Sequence, residues 1–171
     1  MAQEPSFFER KIVAPDALAL RIAGLPRPLV FTNGVFDLLH RGHVTYLARA
    51  RAMAGAGGAG GAGGALLVAL NSDASARRLG KGADRPINPL EDRLAVLAAL
   101  ESVDVVSWFE DDTPAELIRL CRPDVLVKGG DWPVERIVGA QEVLAWGGSV
   151  RSIAFEHERS TTRLVRQIRG L

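Results

Sequence analysis

The stretch Thr32-Asn33-Gly34-Val35-Phe36-Asp37-Leu38-Leu39-His40-Arg41-Gly42-His43 decides how the rest of the chain is read. It follows an apolar run of strand length, Leu29–Thr32, and leads into a helical pattern, Val44–Met53. A strand that passes through a short glycine-containing turn into a helix opens a crossover unit. Outward from it the alternation continues, with strand-length apolar runs at Leu66–Leu70, Val103–Trp108, Val125–Val127 and Val150–Phe155. The intervening spacing predicts helices near Ala74–Leu79, at Leu90–Leu100 opened by Pro89, at Pro114–Cys121 capped by Thr113, and at Val134–Trp146 stopped by Gly147-Gly148. A last helix is expected from about Thr161 to Arg169. Strands alternating with helices in this way predict an α/β fold, a doubly wound parallel sheet of about five strands with helices on both faces. On such a sheet ligands bind at the carboxyl ends of the strands, so the residues just after each apolar run are the ones to inspect.

Composition sets the outer bounds. With 171 residues, 47% hydrophobic and 24% charged, the chain is expected to form a single domain over 1–171, with an N-terminal extension over 1–27 that carries a short helix. A chain of this size builds a core without staples, and one cysteine, Cys121, and three histidines offer neither a disulfide framework nor a zinc site. There is no apolar run near membrane-spanning length and no secretory start, which points to the cytoplasm and to no membrane partner. Lys and Arg number 21 against 20 Asp and Glu, so no basic field marks the chain as a nucleic-acid binder. Gly55 to Gly64, seven glycines and three alanines, reads as a flexible surface loop over 54–65 that packs no core. Gly55, Gly57 and Gly60 match G-x-G-x-x-G, but after a helix and before a strand, the reverse of the dinucleotide-binding order. Joining a helix end to a strand start, this loop is expected on the face away from the strand carboxyl ends and to be functionally silent.

The chemistry concentrates in the opening stretch. His40 and His43 stand three apart at a helix start, so both imidazoles leave the same side, beside the orphan N–H groups and positive dipole end that attract phosphate. Imidazoles there donate hydrogen bonds to a triphosphate, whose charge raises their pKa toward the doubly protonated form. Gly34 and Gly42 let backbone approach a ligand closely, the second beneath a nucleotide base. Taken alone, the same residues also read as ordinary helix-start histidines, with Asp37 as a turn or helix cap.

Gly34-Val35-Phe36-Asp37 followed by His40-Arg41-Gly42-His43 resembles the hallmark of the cytidylyltransferase-like nucleotidyltransferase superfamily, a strand ending in glycine-Phe-Asp followed by H-x-G-H. The superfamily's second hallmark, a Ser/Thr-rich start to the last helix, is matched by Ser160-Thr161-Thr162, about 120 residues on. Within it the chain is most similar to the heptose 1-phosphate adenylyltransferases, from about Lys11 to Ile168. The words that carry this are Phe31-Thr32-Asn33-Gly34, Asn71-Ser72-Asp73-Ala74-Ser75, Arg85-Pro86-Ile87-Asn88-Pro89-Leu90-Glu91-Asp92-Arg93 and Leu126-Val127-Lys128-Gly129-Gly130-Asp131.

The resemblance implies a Rossmann-like nucleotidyltransferase fold of the HIGH type. It also implies attack by the oxygen of D-glycero-β-D-manno-heptose 1-phosphate on the α-phosphorus of ATP, with pyrophosphate leaving. The product, ADP-heptose, would serve lipopolysaccharide synthesis. Such a reaction needs alignment and charge neutralisation rather than a covalent nucleophile. His40, His43 and Lys128 are the implied catalytic residues, with Mg2+ held mainly by the phosphates and no protein metal ligand singled out. Nucleotide and phosphate contacts are implied for Asn33, Gly34, Val35, Phe36, Gly42, Lys81, Arg93, Ser160, Thr161 and Thr162. Asp37, Asn71, Asp73, Gly130, Asp131 and Trp132 are pocket or substrate candidates.

Each of these has a plainer alternative. Lysine occurs only at positions 11, 81 and 128. Lys128 ends an apolar strand before Gly129-Gly130, which favours function, while Lys81 in its polar turn reads equally as a solubilising residue. Arg93 is either a phosphate contact or a salt bridge from its helix to a carboxylate. Asp73 and Asp131 either fix a hydroxyl, help position Mg2+, or cap a turn. Trp132 lines the nucleotide pocket or packs. Ser160 is a natural N-cap, and Thr161 and Thr162 add hydroxyls at a second helix N-terminus flanked by Arg159, Arg163, Arg166 and Arg169, a basic cluster that also suits a solvated helical face.

The chain departs from the family at Glu158, where a glycine usually stands. In many bacteria this activity is fused to a sugar kinase, for which 171 residues leave no room, so a separate heptose kinase is expected. Related enzymes imply a homo-oligomer, a dimer or larger. Two other readings share the motifs: a glycerol-3-phosphate cytidylyltransferase-type enzyme, and a non-catalytic nucleotide-binding protein of the same fold. The Lys128-Gly129-Gly130-Asp131 and Arg85–Pro89 words favour the heptose branch over the first, and intact His40, His43 and Lys128 argue against the second.

Overall fold

Every apolar run finds its place in one sheet. The computed structural model describes residues 6–55, 63–80, 82, 84–154 and 167–168. Strands β1 (Leu29–Gly34), β2 (Ala65–Asn71), β3 (Val105–Phe109), β4 (Val125–Gly129) and β5 (Ser149–Ile153) lie in the order β3-β2-β1-β4-β5. All pairings are parallel. The chain therefore runs outward from β1 to β3, then returns to the far side of β1 to lay down β4 and β5. This is the doubly wound arrangement expected from the alternation, and its topological switch falls between β1 and β4.

The strands are buried on both faces, which is why they read as continuous apolar runs. Along β2 the alternation is explicit. Ala65, Leu67 and Ala69 join a core with Leu29, Phe31, Leu117, Ile118 and Val143, while Leu66, Val68 and Leu70 join another with Val30, Leu47, Leu94 and Leu97. Helices α1 (Leu18–Ala23), α5 (Ala115–Cys121) and α6 (Ala140–Ala145) cover the first face; α2 (Arg41–Ala52) and α4 (Leu90–Ala98) cover the second. The short α3 (Asp73–Arg78) follows β2 and is capped by Ser72, whose Oγ accepts from Ser75 N.

At the amino ends of the strands two aspartates do the same job. Asp124 Oδ2 accepts from Leu29 N at 2.6 Å and pairs with Arg27, and Asp104 Oδ2 accepts from Leu66 N at 2.8 Å and pairs with Arg51. Each ties the entrance of one strand to the turn preceding its neighbour.

Several expectations need correction. The N-terminal extension carries the short helix expected of it, α1, and is packed into the domain: Val13, Leu18 and Ile22 are core residues, and Ile12 bridges Val106 in parallel. The helix expected over Val134–Trp146 is two pieces, a 3-10 turn at Val134–Arg136 and α6. Ile137 is extended, and Gly139 adopts φ +83 so close to Ile118 that a Cβ would sit 2.7 Å from its Cδ1. The cap of α5 is Pro114, with no side-chain cap bond, rather than Thr113. The Gly/Ala loop is narrower than 54–65, because Ala54 is core, Ala65 begins β2, and Gly64 N donates to Ala54 O at 2.7 Å. Gly64 is itself buried, and a Cβ there would lie 1.8 Å from Pro28 O, so this glycine is demanded by packing rather than by flexibility. The last helix and the Ser160-Thr161-Thr162 motif lie outside the described residues apart from positions 167–168.

Candidate functional site

The crevice at the switch point begins at one rung of the sheet. The β1–β4 ladder runs from Val30↔Val125 to Thr32↔Val127 and ends there, whereas β1 stays paired with β2 as far as Gly34↔Leu70. Beyond that last rung the β1–β4 pairing stops, and several of the sequence-predicted residues lie around these strand ends.

On one side stands the amino end of α2. His40 occupies its N-cap position in an extended conformation and makes no side-chain cap bond, and Gly42 is buried in the first turn. The His40 and His43 rings are stacked, centroids 3.9 Å apart and planes 25° from parallel, and so lie on one side as expected from their three-residue spacing. The Phe36 ring meets His43 edge-on at 5.4 Å. Phe36 is held at φ +50, an uncommon conformation for a bulky residue, and its ring fills the space where a Cβ on Gly34 would come within 3.0 Å of it. A side chain at Gly34 would press on the Phe36 ring that lies against His43. Burial, and secondarily the charge of His40, hold His43 down at about 4, from an ordinary value of 6.5. Without a ligand this imidazole is neutral at pH 7, and a triphosphate would act against the shift.

The strand alternation puts Asn33 and Lys128 toward the opposite face from α2. Lys128 Nζ donates to Asn33 Oδ1 at 3.4 Å, a long contact that brings the ends of β1 and β4 together. The next residues turn sharply: Gly130 has φ +104 and donates its N–H to Ile153 O at 2.8 Å. Trp132 donates its backbone N–H to Ser152 Oγ and its indole N–H to Gly129 O, each at 3.1 Å, and remains 50% exposed. It therefore offers a fixed aromatic surface at the rim, with Asp131 exposed beside it.

A second group of candidates is tied to the scaffold instead. Arg93 is fully buried. It donates to Asn88 O at 3.0 Å through Nε, to Val35 O at 2.7 Å and Asn71 O at 3.0 Å through Nη1, and pairs with Asp73 Oδ1 at 2.7 Å through Nη2. Of the two roles open in the sequence, this geometry is the ion pair from helix to carboxylate. It holds Val35 in the opening motif and Asn71 at the end of β2, whose side chain donates to Ser75 Oγ. Asp37 is buried as well. Its Oδ1 accepts from Ile87 N at 2.8 Å and Asn88 N at 3.0 Å, its Oδ2 faces Arg85 Nε at 2.8 Å, and its carbonyl accepts from Asn88 Nδ2. The carboxylate thus anchors the loop before α4 and caps no helix. Lys81, Ser160, Thr161 and Thr162 lie outside the described residues.

Tyr46 was not singled out from sequence, although it lies one turn below His43 on the same face of α2. Its hydroxyl bonds to Thr32 Oγ1 and donates to Val127 O at 3.3 Å, and burial raises its pKa well above the ordinary tyrosine range. Cys121 is buried in the core under α5, its thiol pushed up to about 12 by that burial, and so is no nucleophile. Among the described residues no group of three or more His, Cys, Asp and Glu is placed to hold a metal ion, and no helix is long and apolar enough to cross a membrane.

Comparison with known proteins bears on the family and the fold. A family model described as cytidylyltransferase-like matches residues 31–167. The D-beta-D-heptose 1-phosphate adenylyltransferase of Bordetella bronchiseptica is 53% identical over 164 residues, 95% of this chain and 96% of that protein. The bifunctional protein HldE of Hahella chejuensis is 53% identical over 141 residues, 82% of this chain but only 28% of that protein's length. Among solved structures, the lipopolysaccharide core biosynthesis protein of Thermoplasma volcanium superposes with a TM-score of 0.57 at 25% identity, covering 80% of this chain and 100% of that one. The pantoate-beta-alanine ligase of Francisella tularensis gives 0.56 at 12% identity over 88% of this chain and 68% of that one, a likeness of fold alone.

Proposed function

Because the chain belongs to the cytidylyltransferase-like family, we propose that it is a nucleotidyltransferase that moves the adenylyl group of ATP onto D-glycero-β-D-manno-heptose 1-phosphate. The observation that carries this is 53% identity along 95% of the chain to an enzyme of that name, with the histidine pair and Lys128 on the two sides of the switch-point crevice.

In the proposed reaction an anionic oxygen of the sugar phosphate attacks the α-phosphorus of ATP. The bond from that phosphorus to the bridging oxygen breaks, and pyrophosphate leaves. The attacking oxygen is already anionic, so no side chain need act as nucleophile or base. The nucleotide enters as its Mg2+ complex, the metal neutralising phosphate charge from the substrate side. That suits a donor set in which Asp37 and Asp73 are already paired with arginines. His40 and His43 donate N–H groups to the triphosphate beside the first turn of α2, whose own N–H groups and dipole favour the same anion. Two imidazoles stacked at 3.9 Å repel one another when both are protonated, and a phosphate beside them relieves that repulsion. Lys128 supplies a positive charge from the β4 side, and Trp132 a rim surface for base or sugar. The remaining implied contacts to phosphate are those of Lys81 and Ser160-Thr161-Thr162.

Heptose 1-phosphate would be supplied by a kinase, and the ADP-heptose formed would serve lipopolysaccharide synthesis in the cytoplasm. The test is pyrophosphate release with Mg2+, crossing ATP and CTP against heptose 1-phosphate and glycerol 3-phosphate, with His43→Ala as control. Release confined to ATP with heptose 1-phosphate, and lost in the variant, is expected. Release with CTP and glycerol 3-phosphate, or with no pair at all, would overturn the assignment.

A further inference from the structure

The two walls of the crevice belong to strands that are hydrogen-bonded to each other only as far as the rung Thr32↔Val127. Tyr46 reaches both residues of that rung, through Thr32 Oγ1 on β1 and the Val127 carbonyl on β4. The directions of these bonds follow from chemistry. A carbonyl only accepts, so the tyrosine hydrogen goes to Val127 O, and the Thr32 hydroxyl donates to the tyrosine oxygen. The residue after Val127 is Lys128, the residue after Thr32 is Asn33, and these two are in contact just above the fork. His43 stands one turn above Tyr46 on α2, and its N–H donates to His40 O at 2.9 Å, so Tyr46 also fixes the height of the histidine pair over the sheet.

Three elements, α2, β1 and β4, therefore meet at a single buried hydroxyl at the root of the site. A phenylalanine would pack as well there, since Tyr46 belongs to the same apolar cluster as Val30, Leu47 and Val127. The hydroxyl is what packing does not require. We propose that Tyr46, with Thr32, is a positioning residue that holds the fork between β1 and β4 at the width at which the histidine pair and Lys128 engage one and the same triphosphate. This deepens the nucleotidyltransferase reading and rests on it, but it makes its own claim about nucleotide binding, separate from the identity of the acceptor.

The test uses the full chain and measures the Kd for MgATP by calorimetry, then turnover with ATP and heptose 1-phosphate. Tyr46→Phe is expected to weaken MgATP binding about tenfold and lower kcat/KM about a hundredfold, the scale of a misplacement near 1 Å. Thr32→Val, which removes the other half of the bond without loss of volume, is expected to match it. Thr32→Ser, which keeps the hydroxyl, is expected to stay within about threefold of the wild type. The decisive measurement is Tyr46→Phe in a Lys128→Ala background. With one wall already removed the fork width no longer matters, and the further loss of affinity is expected to fall below about threefold.

A merely structural hydroxyl would lower Tm and leave the affinities of the single variant unchanged, or would give the same factor in both backgrounds, and either result overturns the proposal. If Tyr46→Phe does not fold, Thr32→Val carries the same comparison. Wild-type protein that binds MgATP but transfers nothing to heptose 1-phosphate would sink the acceptor assignment and leave this cycle to decide the fork. Wild-type protein that binds neither ATP nor CTP would refute both.

Discussion

Replacing Arg93 by Met keeps the length of the side chain and removes the guanidinium, and the structure sets the cost. Three backbone carbonyls lose a charged donor, that of Asn71 in a buried bond and those of Val35 and Asn88 in part-buried ones. At about 1–1.5 kcal/mol for each charge-assisted hydrogen bond lost, discounted for the partial exposure of two of them, that amounts to some 3–5 kcal/mol. The ion pair with Asp73 adds little, because that carboxylate is 29% exposed and water solvates it once the arginine is gone. A loss of about 4 kcal/mol is a large share of a typical domain's 5–15 kcal/mol, and for this length it lowers Tm by roughly 8–16 °C. Arg93→Lys is expected to recover less than half of it, since an ammonium cannot reach three carbonyls and a carboxylate in a fork geometry. The assay is thermal and urea denaturation beside MgATP affinity measured on the folded fraction. The reasoning would be refuted by a variant with wild-type Tm and an affinity loss of a hundredfold or more, because that pattern belongs to an arginine whose business is phosphate.

Gly64→Ala is expected to destabilise by about 3 kcal/mol or more, read as a lower urea midpoint at unchanged slope, since the new Cβ would fall 1.8 Å from the Pro28 carbonyl oxygen and neither backbone can yield. Ser107→Ala should raise Tm by a few degrees, about 1 kcal/mol, because Ser107 Oγ is fully buried on β3 and has no hydrogen-bond partner among the described residues; a lower Tm would show that the hydroxyl is satisfied. His43 titrates at about 4 in the folded chain and 6.5 when unfolded, so between those values the unfolded state binds the extra proton. Stability of the ligand-free protein should then rise by about 2–3 kcal/mol from pH 4 to pH 6.5. His43→Asn should remove that part of the slope, and an unchanged profile would contradict the assignment.

The sheet was legible because its strands are buried on both faces, and a run such as Leu66–Leu70 is hard to read as anything else once helices flank it. The helix boundaries failed where a single glycine acts through a distant partner. Gly139 breaks the expected long helix because it lies against Ile118, and no local pattern announces that contact. Gly64 misled in the opposite direction: within a glycine-rich run its necessity is invisible, and only the approach of Pro28 shows it. At the site, His40 and His43 were legible from their spacing and from the motif around them. Tyr46 was not, because a tyrosine at helical spacing reads first as core, and its hydroxyl bonds to residues 14 and 81 positions away. Arg93 and Asp37 were candidates from the motif, but the motif does not say whether a charged group faces a ligand or the scaffold, and both are tied to the scaffold.

That distinction has an electrostatic consequence. Asp37 with Arg85 and Asp73 with Arg93 are two pairs of opposite charge set beneath the motif loops, and each pair is close to neutral as seen from the crevice. Four charged side chains at the carboxyl end of the sheet thus contribute shape, by fixing the loops around Val35 and Asn88, and almost no net field. On the proposed reading, the attraction for an anion draws on Lys128, the first turn of α2 and a histidine pair in which His43 is neutral at pH 7 until the anion arrives. On that reading the site would bind phosphate with induced rather than standing charge. It should therefore favour a triphosphate over a monophosphate by more than a fixed cluster of arginines would, since only the larger charge offsets the desolvation that keeps His43 neutral.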